Sequence, residues 1–191
     1  MKILIAYGSS HGHTARIAAR IGARMLNQGH EVVIADHLLG LRAEDFDAII
    51  LGGRVHGSRY PWRVTHFIRR NLRTLRARPS AFFSVSLLQL SRFRKQRDKT
   101  EALPRTTTAK LGWTPDRVAV FGGALRWKAQ YGRLAPLAVW MWRYTLGTLI
   151  DPTRSEQVFT DWEAVDRFAD AVLARVPDQA SAGPTSLRAE T

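Results

Sequence analysis

A short loop near the start of the chain combines small, hydroxyl and imidazole side chains in a pattern that suits phosphate binding. Its residues are Gly8, Ser9, Ser10, His11, Gly12, His13 and Thr14. The small residues leave backbone N–H groups accessible, the hydroxyl groups add donors, and a helix beginning here would present the positive end of its dipole. The loop has neither the lysine of a Walker loop nor the glycine spacing of a dinucleotide-binding loop. It predicts a phosphate site, although a polar turn that only connects two elements would have a similar composition.

The elements that must position this loop alternate between strands and helices. Short apolar runs predict strands at residues 3–7, 32–35, 48–51, 81–88 and 118–121. Because the runs are apolar along their length, they are typical of a parallel sheet covered on both faces. Helical spacing of apolar residues between them predicts a doubly wound α/β fold. Ligands of such sheets bind beyond the carboxyl ends of the strands, where the phosphate loop would lie.

Local signals define two of the helices and the extent of the domain. After Pro61, one continuous helix is predicted from a single apolar stripe, which comprises Val64, Phe67, Ile68, Leu72 and Leu75. Thr160 and Glu163 have the spacing of a capping box and predict the start of the last helix. We expect one domain over residues 1–176 with an insertion at 126–158, followed by a disordered tail at 177–191 because the composition turns to Ala, Ser, Gly and Thr.

The positive charge of the chain is concentrated in its middle third. The formal net charge is +13, and residues 54–105 hold fourteen basic and two acidic side chains. Such a block favours an anionic partner, such as a carboxylate ligand or a lipid surface, over an ordinary solvated face. No nucleic-acid motif accompanies it, so we expect no nucleic-acid partner. The absence of cysteine excludes disulfides and thiolate chemistry, and no histidine and carboxylate set has the spacing of a metal site.

The segment between the fifth strand and the last helix is long, apolar and rich in aromatic residues, among them Trp140, Trp142 and Tyr144. Residues 134–150 contain one charge, Arg143, and would span only about 25 Å as a helix. That length suits a helix lying in a membrane interface, and Trp is favoured there. Packing on the domain itself, or a contact between two copies, remains the alternative. The candidates for substrate or membrane contact are Arg59, Arg126, Trp127, Lys128, Trp140, Trp142 and Arg143.

Several segments resemble those of known families. The loop that ends at Thr14 resembles the FMN phosphate loop of flavodoxins. Residues 79–87 (PSAFFSVSL), 113–126 (WTPDRVAVFGGALR) and 160–163 (TDWE) are similar to bacterial menaquinone-dependent protoporphyrinogen IX dehydrogenases. The resemblance implies a flavodoxin-like α/β fold, a five-stranded doubly wound parallel sheet with helices on both faces and an insertion after strand five. It also implies an FMN oxidoreductase of haem biosynthesis.

The resemblance also assigns residues to the cofactor. The phosphate would be held by Ser9, Ser10, His11, Gly12, His13 and Thr14. The flavin ring would be bordered on one side by Gly53, Arg54, Val55, His56 and Gly57, and on the other by Ser84, Val85, Ser86 and Leu87. Tyr60 or Trp62 would supply an aromatic ring near the flavin, although Trp62 could equally be a core residue. No catalytic residue can be named from the sequence.

The implied partners are protoporphyrinogen IX and a quinone, either menaquinone or ubiquinone. A basic chain with this insertion would lie on the cytoplasmic face of the inner membrane, in peripheral contact with anionic lipid, and would otherwise be cytoplasmic. Oligomeric state is left open. Two alternatives remain: another flavodoxin-domain quinone reductase or electron carrier, and a non-enzymatic basic binding module.

Overall fold

The computed structural model describes residues 1–9, 12–126, 130–151 and 153–174, and its centre is a sheet of five parallel strands. The strands are β1 (Lys2–Gly8), β2 (Glu31–Ala35), β3 (Ala48–Arg54), β4 (Ser80–Val85) and β5 (Arg117–Phe121). Their spatial order is β2-β1-β3-β4-β5, with parallel pairing throughout. This order confirms the predicted flavodoxin-like, doubly wound sheet, whose winding reverses between β1 and β3.

Helices cover both faces of the sheet, as predicted. They are α1 (His13–Asn27), α2 (Trp62–Arg70), α3 (Leu72–Ala77), α4 (Arg94–Lys110), α5 (Ala135–Leu146) and α6 (Trp162–Leu173). Alternate residues of each strand point to opposite faces, so Ile5 packs towards α1 and α6, and Leu4 packs towards α2 and α3. Both side chains are fully buried. Burial on both faces explains why the central strands are apolar at every position rather than at every second one.

Paired charges join the first helix to the last across 146 residues of chain. Arg20 donates from two nitrogens to the carboxylate of Asp166, at 2.8 and 2.7 Å. Arg24 binds Asp170 in the same two-pronged way, at 2.5 and 2.8 Å. These hydrogen bonds lower the pKa of both carboxyl groups. The pairs fix the orientation of α1 against α6, and α1 begins at the phosphate loop.

The helix predicted after Pro61 is interrupted. The side chain of Asn71 accepts a hydrogen bond from the backbone N–H of Ala43 and donates one to the carbonyl of Phe67, both at 3.0 Å. An asparagine that satisfies backbone groups in this way competes with helix continuation. The chain therefore forms α2 and α3 instead of one helix, while Leu75 still completes the buried stripe.

The predicted capping box at the last helix is wrong. Asp161 is the residue that caps α6, since its carboxylate accepts from the backbone N–H of Ala164 at 3.0 Å. Thr160 lies one residue earlier, and its hydroxyl group is used elsewhere. That difference of one position gives Thr160 a role in the site described below.

A two-stranded antiparallel ladder encloses the insertion. Strand β6 (Ala124–Arg126) pairs with β7 (Glu156–Val158), and α5 lies between them in the sequence. The insertion has its own small core, formed by Leu125, Ala138, Leu146 and Ile150. This core holds α5 against the carboxyl end of the sheet. The predicted tail, like residues 10–11 and 127–129, lies outside the described part of the chain.

Candidate functional site

A cavity of about 400 Å³ opens beyond the carboxyl ends of β1, β3 and β4, where ligands of doubly wound sheets bind. Its lining comes from the loops after these strands and from the insertion. The predicted cofactor residues that line it are Ser9, His13, Thr14, Arg54, Val55, His56, Gly57, Val85, Ser86 and Leu87. The structure therefore brings three loops that are distant in sequence to one site. Ser10 and His11 lie outside the described residues.

The phosphate-loop end of the cavity contains buried polar atoms without partners. In the described part of the chain, Ser9 Oγ, His13 Nδ1 and Thr14 Oγ1 are each buried with no hydrogen-bond partner. The side chains of His13 and Thr14 are only 7% and 1% exposed. Unsatisfied buried polar atoms are costly and require a ligand or water. Gly12 precedes α1 with a φ of 78°, a left-handed conformation that favours glycine. This end of the cavity fits a phosphate group.

A buried hydrogen-bond chain fixes the ring of His13. Its Nε2 lies 2.6 Å from Thr160 Oγ1, and the same hydroxyl group lies 2.6 Å from the carbonyl oxygen of Gly122. The carbonyl can only accept, so the hydroxyl donates to it and accepts from the Nε2–H of His13. Burial is the largest cause, and the nearby charge of Arg16 the next, of a lowered pKa of His13, which is about 4. The imidazole is therefore neutral at pH 7 in the absence of a ligand.

Two guanidinium groups and one carboxylate surround the phosphate loop. Arg126 lies 3.0 Å and Arg16 lies 3.3 Å from the same oxygen of Glu156. A nitrogen of Arg126 is also 4.0 Å from the point where a Cβ on Gly12 would lie. One carboxylate between two guanidinium groups leaves net positive charge beside the loop. The sequence suggested Arg126 as a substrate or membrane contact, and the structure places it beside the phosphate loop.

The second of these loops, which follows β3, forms a tight turn at the edge of the cavity. His56 and Arg59 exchange two backbone hydrogen bonds, at 2.9 and 3.0 Å. Between them, Gly57 and Ser58 have φ values of 55° and 61°, the geometry of a type I′ turn. Ser58 is the one non-glycine residue with positive φ among the described residues. The turn leaves His56 and Arg59 exposed, and His56 also lines the cavity.

Some predicted residues lie beneath the cavity and do not line it. The hydroxyl group of Tyr60 donates to Ser84 Oγ at 2.9 Å, and both side chains are buried. The ring of Tyr60 also packs against Gly53, where a Cβ would come within 2.7 Å of it. These three residues pack beneath the loops that follow β3 and β4, on the side away from the cavity. Trp62 is 60% exposed, so it is neither a core residue nor part of the lining.

The insertion supplies the aromatic wall of the cavity. Tyr131 and Trp142 both line it, and the indole N–H of Trp142 donates to the hydroxyl group of Tyr131 at 2.7 Å. Met141 and Leu88 extend this apolar wall. The sequence analysis missed Tyr131, Met141 and Leu88. The apolar and aromatic composition of 134–150 was the available signal for Met141, whereas Tyr131 and Leu88 lie outside that segment.

The opposite face of α5 is exposed and apolar. Its exposed side chains include Leu137, Trp140 and Tyr144, at 63%, 69% and 57%, and Leu134, one residue before the helix begins, is 66% exposed. Arg143 is exposed on the same helix. The helix thus has one face towards the cavity and one towards solvent. Across the described ranges, no helix combines the length and apolar character needed to cross a membrane. Trp127 and Lys128 lie outside those ranges.

Comparison with known proteins agrees with this architecture. The chain is 28% identical over 177 residues to the protoporphyrinogen IX dehydrogenase [quinone] of Escherichia coli K12, which covers 88% of this chain and 93% of that protein. It is 29% identical over 180 residues to the protein of the same name from Leishmania major, covering 91% of this chain and 75% of that one. These relatives confirm the prediction of an oxidoreductase.

Solved structures support the fold. Flavodoxin 1 from Bacillus cereus superposes with a TM-score of 0.56 at 15% identity, over 93% of this chain and all of that one. The flavodoxin of Streptococcus pneumoniae TIGR4 gives 0.55 at 14% identity, over 92% of this chain and all of that one. The sequence profile described as the flavodoxin domain matches residues 4–147, which implies flavin binding. The chain belongs to the flavodoxin-domain family.

Proposed function

We propose that this chain is an FMN-dependent enzyme of haem biosynthesis that oxidises protoporphyrinogen IX to protoporphyrin IX and passes the electrons to menaquinone or another quinone. The observation that carries the proposal is the cavity with its buried, unpartnered polar atoms at the phosphate-loop end. The names of the relatives from Escherichia coli and Leishmania major support the substrate and the acceptor.

The cofactor would lie along the cavity with its phosphate at the N-terminal end of α1. Ser9, His13 and Thr14 would hold the phosphate, with backbone N–H groups of the first helical turn as further donors. Residues 54–57 and 85–87 would border the ring. Bound FMN supplies the two-electron redox chemistry, and the protein supplies binding, orientation and exclusion of water.

The cavity has the polarity expected for an acidic, largely apolar substrate. Arg54 lines it, and Arg59 lies on the adjoining turn. Guanidinium groups bind carboxylates with charge-assisted, often two-pronged hydrogen bonds, so these arginines suit the propionate groups of a porphyrinogen. Tyr131 and Trp142 would contact the apolar macrocycle or the quinone ring.

The exposed face of α5 would contact an anionic membrane surface, on the cytoplasmic side of the inner membrane. Its apolar side chains lie beside Arg143, and Arg92 stacks over the rings of Phe93 and Tyr144, each 4.9 Å from the ring centre. Apolar and aromatic side chains with nearby cations favour the lipid interface. A quinone dissolved in that membrane would then reach the cavity from the side that α5 covers.

The direct test is porphyrin formation under anaerobic conditions, because oxygen itself oxidises porphyrinogens. Protein loaded with FMN is mixed with protoporphyrinogen IX and a soluble menaquinone analogue, and porphyrin fluorescence is followed. We expect porphyrin to accumulate only when protein, FMN and quinone are all present. If porphyrin does not form while NAD(P)H reduces the flavin at enzymatic rates, the chain is a different quinone reductase.

Membrane contact has a separate test with matched variants. We expect the protein to sediment with vesicles that contain anionic lipid and to bind neutral vesicles weakly. Leu137→Asp changes an exposed residue of α5, and Leu26→Asp changes a residue of similar exposure on α1, at 63% and 54%. Binding should fall for the first variant and persist for the second. Equal binding by both variants would contradict the assigned face.

A further inference from the structure

The hydrogen-bond chain from His13 through Thr160 to Gly122 determines which ring nitrogen of His13 is a donor and which is an acceptor at the phosphate site. We propose that His13 takes up a proton when the phosphate of the cofactor binds, so that its imidazolium donates from Nδ1 to the phosphate and from Nε2 to Thr160. This inference rests on the proposed FMN site. It adds a specific role for one residue: His13 makes recognition of the phosphate group dependent on a proton.

The tautomer follows from the contacts. Thr160 Oγ1 has one proton. It donates this proton to the carbonyl oxygen of Gly122, 2.6 Å away, because a carbonyl oxygen can only accept. Because that proton is used, the hydroxyl oxygen can only accept from His13 Nε2, which is also 2.6 Å away. The proton of a neutral ring is thereby committed to Nε2. Nδ1 then carries a lone pair and no proton.

A bare Nδ1 has the wrong polarity for an anion. This atom is buried, without a partner among the described residues, in a side chain that lines the phosphate end of the cavity. A phosphate oxygen presents lone pairs only, so two acceptors would face one another. Adding a proton to Nδ1 converts the repulsion into a charge-assisted hydrogen bond, and the bond to Thr160 is kept because it is made through Nε2.

The charged neighbours explain why the proton arrives with the ligand. The groups acting on His13 are Arg16 on its own helix, Arg126 on β6 and Glu156 on β7. Burial and the two guanidinium groups disfavour the imidazolium, and Glu156 favours it less strongly, so the pKa is lowered to about 4. A phosphate dianion nearby acts in the opposite direction and raises the pKa of the ring. The ring of Trp162, 6.1 Å away, contributes no charge.

The consequence is measurable as a proton count. At pH 7 and above, a phosphomonoester is mostly dianionic because its second pKa is about 6. Binding FMN at pH 7 should then take up close to one proton, and the affinity should fall up to about tenfold per pH unit until the pKa of His13 in the complex is passed. Riboflavin lacks the phosphate and should bind without proton uptake.

Calorimetry in buffers of different ionisation enthalpy gives the proton count directly. FMN is titrated into the wild-type protein and into His13→Gln, whose amide can hydrogen-bond to Thr160 but does not titrate. We expect an uptake near one proton for the wild type and near zero for the variant. The same uptake by both proteins would overturn the inference and leave the proposed function intact.

A second measurement needs only the wild-type protein. In ¹⁵N-labelled protein, the two ring nitrogens of His13 should give the neutral Nε2–H pattern before FMN is added and the doubly protonated pattern afterwards, at pH 7. A ring that stays neutral in the complex would overturn the inference. Folded protein that does not bind FMN would overturn both proposals. Proton uptake without porphyrin formation would count against the proposed substrate alone.

Discussion

Removing the hydroxyl group of Thr160 should lower the free energy of unfolding by more than most substitutions that change a single side-chain group. Thr160→Val keeps the shape of the side chain and deletes the hydroxyl group. The residue is buried, with only 9% of its surface exposed. Two buried partners, the Nε2 of His13 and the carbonyl oxygen of Gly122, would each lose a 2.6 Å contact. Leaving one buried polar group unsatisfied costs about 1–3 kcal/mol. With two such groups, we therefore expect a loss of about 2–6 kcal/mol in the free energy of unfolding.

The assay is urea unfolding of the protein without cofactor, followed by circular dichroism at pH 7.5. Thr160→Ser is the matched control, because it keeps the hydroxyl and should lose less than half as much. The midpoint of thermal unfolding should fall by about 2–4 °C for each kcal/mol lost. If Thr160→Val lies within about 0.5 kcal/mol of the wild type, the hydrogen-bond chain does not exist in solution. The donor assignment for His13 would then lose its basis.

Three further outcomes can be measured by the same unfolding assay. The pKa of His13 is about 4 in the folded protein and about 6.5 in the unfolded chain. Between these values the unfolded state binds more protons than the folded state. The free energy of unfolding should therefore decrease as the pH drops through that range, by up to about 3 kcal/mol. His13→Gln should show a smaller loss between pH 7 and 5.5, and parallel profiles would contradict the assignment. Gly52→Ala should cost about 1–3 kcal/mol, since its new Cβ would lie 2.1 Å from the ring of Phe83, and a neutral change would refute this close packing. Asn71→Ala should cost about 1–2 kcal/mol through its two backbone partners, whereas Asn27→Ala at an exposed position should cost little; equal costs would argue against the helix break.

The sheet and the phosphate loop were predictable because their signals are local. Each strand is a short apolar run bounded by polar residues, and the loop that ends at Thr14 follows the first run directly. Alternation of strands and helices then leaves few arrangements, and the carboxyl ends of the strands indicate where a ligand binds. The structure confirms the fold on these grounds.

The features that sequence reasoning missed depend on contacts between distant parts of the chain. Thr160 has the type and spacing of a capping residue, and its partner His13 lies 147 residues away. The break at Asn71 depends on the backbone of Ala43, 28 residues earlier. Pairwise contacts of this range leave no periodic signal in the sequence, so local patterns gave the wrong cap and one helix where there are two.

The insertion shows the same limit in another form. The apolar and aromatic content of 134–150 was visible, but composition does not say which residues face inward. The structure turns Trp142 to the cavity, where its indole binds Tyr131, and leaves Trp140 exposed two residues away. The direction of α5 is set by the small core around Leu125, a residue of β6, which pairs with β7 on the far side of the insertion in sequence.

The measurement that tests the central claim most directly is the visible absorbance spectrum of the purified protein, recorded before and after FMN is added. We predict flavin bands that are shifted from those of FMN in water and that saturate at one FMN per chain, because the cavity offers a single phosphate end with unpartnered buried donors and acceptors. Folded protein that carries no flavin and leaves the spectrum of added FMN unchanged would contradict the account.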